Sequence, residues 1–187
     1  RVATTDWKKP DIRGGYIWHT TGSGKTMTSF KSAQLIATSK DADKVIFLMD
    51  RIELGTQSLR EYRGFSDDGQ DVQATEDTYV LINKLKSTDP ADTLIVTSIQ
   101  KMSNIEADEE GLNSHDLEVM RAKKMVIIVD EAHRTVFGDT MLPTIRKTFP
   151  NAVFFGFTGT PIQKENSRKD SDTSTIFGDE LHRYSLA

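Results

Sequence analysis

Along the chain, short and almost wholly apolar runs alternate with longer amphipathic or polar stretches. Lys44-Val45-Ile46-Phe47-Leu48-Met49, Thr93-Leu94-Ile95-Val96-Thr97, Met125-Val126-Ile127-Ile128-Val129 and Ala152-Val153-Phe154-Phe155-Gly156-Phe157 lack the in-out alternation of a strand with one wet face. They predict strands buried on both sides, as in a parallel sheet. Tyr16-Ile17-Trp18-His19 predicts a further strand ahead of them. From Lys25 to about Ser39, Met27, Phe30, Ala33, Leu35 and Ala37 recur at mostly helical spacing, with Lys31, Gln34 and Lys40 between them, which predicts a helix broken by Asp41-Ala42-Asp43. Further helices are expected over Ile52 to Tyr62, tempered by Gly55, around Leu117, Met120 and Arg121, and from Thr140 to Thr148 with Pro143 near its first turn, while Tyr79 to Leu85 fits a helix or a strand, the helix being favoured. Ser66-Asp67-Asp68-Gly69 reads as a turn, Ile105 to Ser114 as an exposed loop, residues 1–13 as an irregular lead-in, and 162–187 as a polar loop with a last edge strand over His182-Arg183-Tyr184-Ser185-Leu186. Strands alternating with helices at this spacing predict one α/β domain over 1–187 with a mostly parallel sheet flanked by helices. The order of the strands is not contained in the pattern.

Composition narrows the function classes. A length of 187 residues is that of a single domain, and the absence of cysteine removes disulfides and thiolate metal sites. No apolar run approaches the roughly eighteen residues of a membrane span, and the opening Arg1-Val2-Ala3-Thr4-Thr5-Asp6-Trp7 has no apolar signal-peptide core. A cytoplasmic protein without membrane contact is expected. The net charge of -4 argues against a strongly autonomous nucleic-acid binder, so any DNA contact must be local. The chain starts without an initiator Met and is expected to be a piece of something larger.

Candidate chemistry concentrates where apolar runs end. After Tyr16-Ile17-Trp18 the chain enters His19-Thr20-Thr21-Gly22-Ser23-Gly24-Lys25-Thr26 and then a helix. A phosphate-cradling loop needs small residues whose amides turn inward, a lysine that reaches the outer phosphates and a hydroxyl that holds Mg²⁺; Thr21, Gly22, Ser23, Gly24, Lys25 and Thr26 supply them. The helix adds the positive end of its dipole to the same site. His19 stands where such a pattern usually has its first glycine. The strand over 125–129 delivers Asp130 and Glu131 at its carboxyl end. Asp130 is placed to hold Mg²⁺, while Glu131 points onward to orient or deprotonate an attacking water. In open α/β sheets ligands bind beyond the carboxyl ends of the strands, where Gly22, Asp130 and Thr158 are all expected.

Gly22-Ser23-Gly24-Lys25-Thr26, the DEAH-type Asp130-Glu131-Ala132-His133 and Thr158-Gly159-Thr160-Pro161 resemble motifs I, II and III of superfamily 2 helicases and translocases. Together with Trp18-His19-Thr20-Thr21, Asp50-Arg51-Ile52-Glu53-Leu54, Thr97-Ser98-Ile99-Gln100-Lys101 and the Arg134 that follows His133, they resemble the motor subunit of type I restriction-modification enzymes, in which a histidine at the position of His19 is usual. The resemblance implies a RecA-like P-loop NTPase domain that binds ATP with Mg²⁺ and forms half of a motor translocating double-stranded DNA before cleavage. It implies catalytic roles for Lys25, Asp130 and Glu131, coupling by His133, Thr158 and Thr160, and contacts to one strand's sugar-phosphate backbone from Arg51, Gln57, Thr97, Ser98 and Gln100. Hydroxyls and amides suit backbone tracking without base readout.

The same resemblance implies a prokaryotic cytoplasmic parent carrying a second RecA-like domain and a nuclease domain, assembled with modification and specificity subunits. Motifs V and VI and an upstream adenine-reading glutamine are not in the sequence. The fragment alone is therefore expected to be inactive as a nuclease. Two alternatives stand beside this reading: a domain of another superfamily 2 ATPase, such as a type III restriction subunit or a remodelling translocase, and a non-hydrolytic module latched by nucleotide.

Overall fold

The apolar runs become the middle of a sheet. The computed structural model describes residues 1–8, 14–20, 24–49, 73–74, 77–105, 113–130, 132, 140–160 and 173–184. Its strands are β1 (Gly15–His19), β2 (Lys44–Met49), β3 (Gln73–Ala74), β4 (Leu94–Ser98), β5 (Met125–Val129), β6 (Val153–Thr158) and β7 (Glu180–Tyr184). They form one seven-stranded sheet in the order β3-β4-β2-β5-β6-β1-β7. Every pairing is parallel.

Each apolar run is divided by residue parity between two cores. Ile46, Leu48, Ile95, Ile127, Val129 and Phe154 point to one face. There they meet α2 (Thr78–Lys86), α3 (Ile99–Ser103), α4 (Ser114–Arg121), α5 (Met141–Thr148) and α6 (Thr173–Phe177) through Leu81, Met102, Met120, Ile145 and Phe177. Val45, Phe47, Met49, Val96, Val126, Ile128 and Phe155 point to the other face, which α1 (Lys25–Ser39) covers with Phe30 and Ala33. Burial on both sides explains why these runs show no polar alternation. Full burial of one such side chain is worth about 1.5–3 kcal/mol, so the edge-to-face pair Phe30–Phe47, with centroids 5.6 Å apart, is a main attachment of α1.

Several expectations are revised by this packing. Gln34 is buried on α1, whereas Leu35 is 64% exposed and Met27 53% exposed. The buried stripe runs through Ser29, Phe30, Ala33 and Gln34, and Leu35 lies on the opposite side of the helix. The short helices α3 and α6 are not expected from periodicity, because five residues are too few to display a helical repeat. The last strand begins at Glu180 rather than His182, pairs among the described residues only with β1, and is exposed at all five residues, as an edge strand should be. The helix expected over 52–62, the turn at 66–69, most of the 105–114 loop and the loop over 162–172 lie outside the described residues.

Strand β7 carries one extra residue. Tyr16 pairs with Glu180 but Ile17 pairs with His182, so Leu181 is bulged out of the ladder. Gly15, at φ 141°, makes room for it: a Cβ there would lie 2.5 Å from Leu181 Cγ and 2.8 Å from the Asp179 carbonyl oxygen.

Candidate functional site

The carboxyl ends of β5, β6 and β1, three neighbouring strands, open on one edge of the sheet. Asp130 follows β5 directly and continues its pairing with β2, its amide donating to the Leu48 carbonyl at 3.0 Å. Its side chain is 1% exposed. From α1, Thr26 Oγ1 donates to Asp130 Oδ2 at 3.2 Å, and Lys25 Nζ lies 3.9 Å from Asp130 Oδ1. A cation, a hydroxyl and a carboxylate distant in sequence thus meet at the amino end of a helix. Buried like this, a carboxylate is tolerable only with such partners.

Gly24 sets the start of that helix. It adopts a left-handed conformation, φ 77° and ψ 29°, and its carbonyl accepts the Thr28 amide at 3.0 Å. A Cβ built on Gly24 would meet nothing within 4 Å, so the backbone here faces open space. The conformation selects glycine, and the space leaves room for an anion against the helix end.

The donor set fits Mg²⁺ bound with a phosphate. Among the described residues no group of three or more His, Cys, Asp or Glu side chains could hold a metal unaided. One carboxylate and one hydroxyl, completed by water and the phosphates themselves, is the pattern Mg²⁺ takes in nucleotide sites. Thr26 and Asp130 are the residues able to hold it, with Lys25 balancing the phosphate charge.

His19 ends β1 and is 2% exposed. Its ring stacks on Tyr184, centroids 4.1 Å apart, with Phe157 6.4 Å away. Burial, then the charge of Lys25, then His182 hold its pKa below the ordinary histidine value, against the opposing pull of Asp130. Burial thus favours the neutral imidazole, which packs as an aromatic plate where the usual pattern has glycine.

The turn after β6 meets β1 as well. The Thr160 amide donates to Thr158 Oγ1 at 3.2 Å, and Trp18 Nε1 donates to the Gly159 carbonyl at 3.1 Å. Thr158 is buried and Thr160 exposed. Of the remaining site expectations, Thr97 is fully buried, and Ser98, 2% exposed, accepts the Lys101 amide at 3.2 Å as the cap of α3. Gln100 reaches the surface beside Asn104, 3.4 Å away. Thr21, Gly22, Ser23, Arg51, Gln57, Glu131 and His133 lie outside the described residues. Arg183 and Tyr184, which pack on Trp18 and His19, are absent from the sequence-derived site because nothing local in the sequence pairs β7 with β1. A separate apolar cavity of about 370 Å³ lies among Val2, Ile17, Leu35, Ile36, Phe155 and Leu181, and Lys25, Thr26 and Asp130 do not line it.

Comparison with known proteins agrees with this geometry. A family model described as SWI2/SNF2 ATPase matches residues 1–187. The endonuclease subunit of the type I restriction enzyme SsaAORF53P from Staphylococcus saprophyticus is 47% identical over 172 residues, covering 91% of this chain. The chain spans 17% of that relative's length. Among solved structures, a nuclease-deletion mutant of the type ISP restriction-modification enzyme LlaGI, in complex with a DNA substrate mimic, superposes with a TM-score of 0.56 at 20% identity, over 94% of this chain and 18% of that one. The Sulfolobus solfataricus SWI2/SNF2 ATPase core in complex with double-stranded DNA gives a TM-score of 0.58 at 15% identity, over 89% of this chain and 32% of that one. At these identities the two structures establish the fold, a RecA-like α/β domain.

Proposed function

This chain belongs to the SWI2/SNF2 ATPase family, and we propose that it is the ATP-binding half of the motor of a type I restriction endonuclease, coupling ATP hydrolysis to translocation of double-stranded DNA before cleavage. The observation that carries the reading is the convergence of Lys25, Thr26 and Asp130 at the start of α1. The similarity to type I endonuclease subunits supports restriction among the functions such a motor serves.

ATP with Mg²⁺ supplies the transferable phosphoryl group and the charge that offsets its oxygens. The chain's own residues do the rest. The amides of the loop over 21–24 and the amino end of α1 bind phosphate oxygens. Lys25 would reach the outer phosphates, and Thr26 and Asp130 would hold the metal. Glu131 orients the water that attacks, and His133, Thr158 and Thr160 relay the state of the site to the rest of the motor. Gln100, with Arg51 and Gln57, contacts the DNA backbone. Ser98 contributes through the helix it caps rather than by touching DNA. A second RecA-like domain, a nuclease domain, and modification and specificity subunits complete the assembly.

Calorimetric titration of the chain with Mg·ADP tests the reading. Weak but measurable binding is expected, lost in Lys25→Ala. In Asp130→Ala the dependence of binding on Mg²⁺ should disappear. Undiminished binding by Lys25→Ala would show that the loop does not hold phosphate.

A further inference from the structure

We propose that edge strand β7 is a positioning element for the phosphate loop, with Tyr184 and Arg183 fixing where β1 ends and the loop begins; this rests on the nucleotide-binding reading above. The far end of the loop is held by Thr26 on Asp130 and by the first turn of α1 on Gly24. The near end is held from β7. Beyond the last register pair, His19 with Tyr184, the Thr20 amide donates to the Tyr184 carbonyl at 3.1 Å. The Tyr184 ring lies over the His19 ring with an interplanar angle of 28°. On the opposite face the Arg183 guanidinium sits 4.0 Å over the Trp18 ring, clamped by two bonds to Glu180 of 3.0 and 3.1 Å. Trp18 in turn donates to the Gly159 carbonyl, so the entry of the loop and the turn after β6 are tied through one indole.

These attachments are specific rather than general packing. All five residues of β7 are exposed, so among the described residues the strand is held by its backbone ladder, these two stacks and the Tyr16 hydroxyl donating to Glu180 at 3.3 Å rather than by a buried side-chain core. Their register depends on the Leu181 bulge against Gly15. A slip of one residue would send each side chain to the other face, removing Tyr184 from His19 and Arg183 from Trp18. Three residues, 21–23, join Thr20 to Gly24. Fixing both ends lowers the ordering cost that a bound phosphate would otherwise bear.

The test is titration of the 187-residue chain with Mg·ADP, paired with hydrogen exchange. Tyr184→Ala should weaken binding about three- to tenfold, the worth of an aromatic stack, and speed exchange at Thr20 while β2 and β5 keep their protection. Tyr184→Phe, which keeps the ring, should bind like the parent. Gly15→Ala should weaken binding in the same direction although residue 15 lies at the other end of β1. Parent-like binding in Tyr184→Ala, alongside lost binding in Lys25→Ala, overturns the positioning role and leaves the nucleotide reading intact. Binding retained in Lys25→Ala overturns the nucleotide reading instead. If Tyr184→Phe is as weak as Tyr184→Ala, the stack is not what holds the loop. Should Tyr184→Ala lose protection in β2 and β5 too, Arg183→Gln decides: weakened binding with intact protection supports the role, and unchanged binding overturns it.

Discussion

Lys44 shows what a single residue costs this fold. It opens β2, is 1% exposed, and its Nζ donates to the Asp92 carbonyl at 2.6 Å. Burial, then the charge of Lys123, lowers its pKa to about 8, against the opposing pull of Asp92, Asp89 and Asp43. A lysine whose pKa falls on folding binds its proton more tightly in the unfolded chain, so the penalty is full below pH 8 and is relieved as pH rises towards the ordinary value of 10.5. The shift corresponds to about 3 kcal/mol. The stability of the parent chain relative to Lys44→Met, from urea denaturation, should therefore rise between pH 8 and about 10.5 by an amount of that order. A pH-independent difference would mean that Lys44 titrates normally in the folded state. The Thr26–Asp130–Lys25 cluster presents the reverse case, in which charges are buried together and each makes the others tolerable.

At the scale of elements, α3 shows how a strand passes directly into a helix. Its cap Ser98 ends β4 and starts the helix in one residue, which leaves Gln100 outward and Ile99 and Met102 in the core. Ser98→Ala should lower the unfolding free energy by about 1 kcal/mol, seen as a lower urea midpoint with an unchanged slope. An unmoved midpoint would return the Ser98 hydroxyl to the list of surface contacts. The central strands were legible in the sequence because residues such as Ile127 and Phe154 are buried whichever face they meet, so their runs are unbroken. Lys25, Thr26 and Asp130 were legible because phosphate and metal chemistry restrict residue type and place them at strand ends. Helix α3 was not, since its Ser98 cap was read as a backbone contact and its length shows no period. Nor were Arg183 and Tyr184, because stacking on Trp18 and His19 depends on strand order, and strand order is set by crossovers that leave no local trace.

For the whole molecule, charge and layout bear on what the chain does alone. A net charge of -4 spread over one RecA-like lobe offers DNA little counterion release. Fluorescence anisotropy with single- and double-stranded oligonucleotides should show slight binding, lost at moderate salt; tight, salt-resistant binding would point to an autonomous DNA reader. The parallel sheet gathers β1, β5 and β6 so that Lys25, Asp130 and Thr158 share one edge. Strand β1 reaches its place there only by lying between two strands that follow it far along the chain, β6 and β7. Tyr16 and Glu180 are separated by 164 residues, and Trp18 and Gly159 by 141. Closing loops of that span precedes any reward from pairing, which makes such contacts slow to form. During synthesis on the ribosome, then, the strand that leads into the phosphate loop emerges well before β6 and β7, the neighbours it will pair with. A chain translated only as far as the loop has its lysine and glycines but nothing to hold them against, and nucleotide affinity waits on strands made well over a hundred residues later.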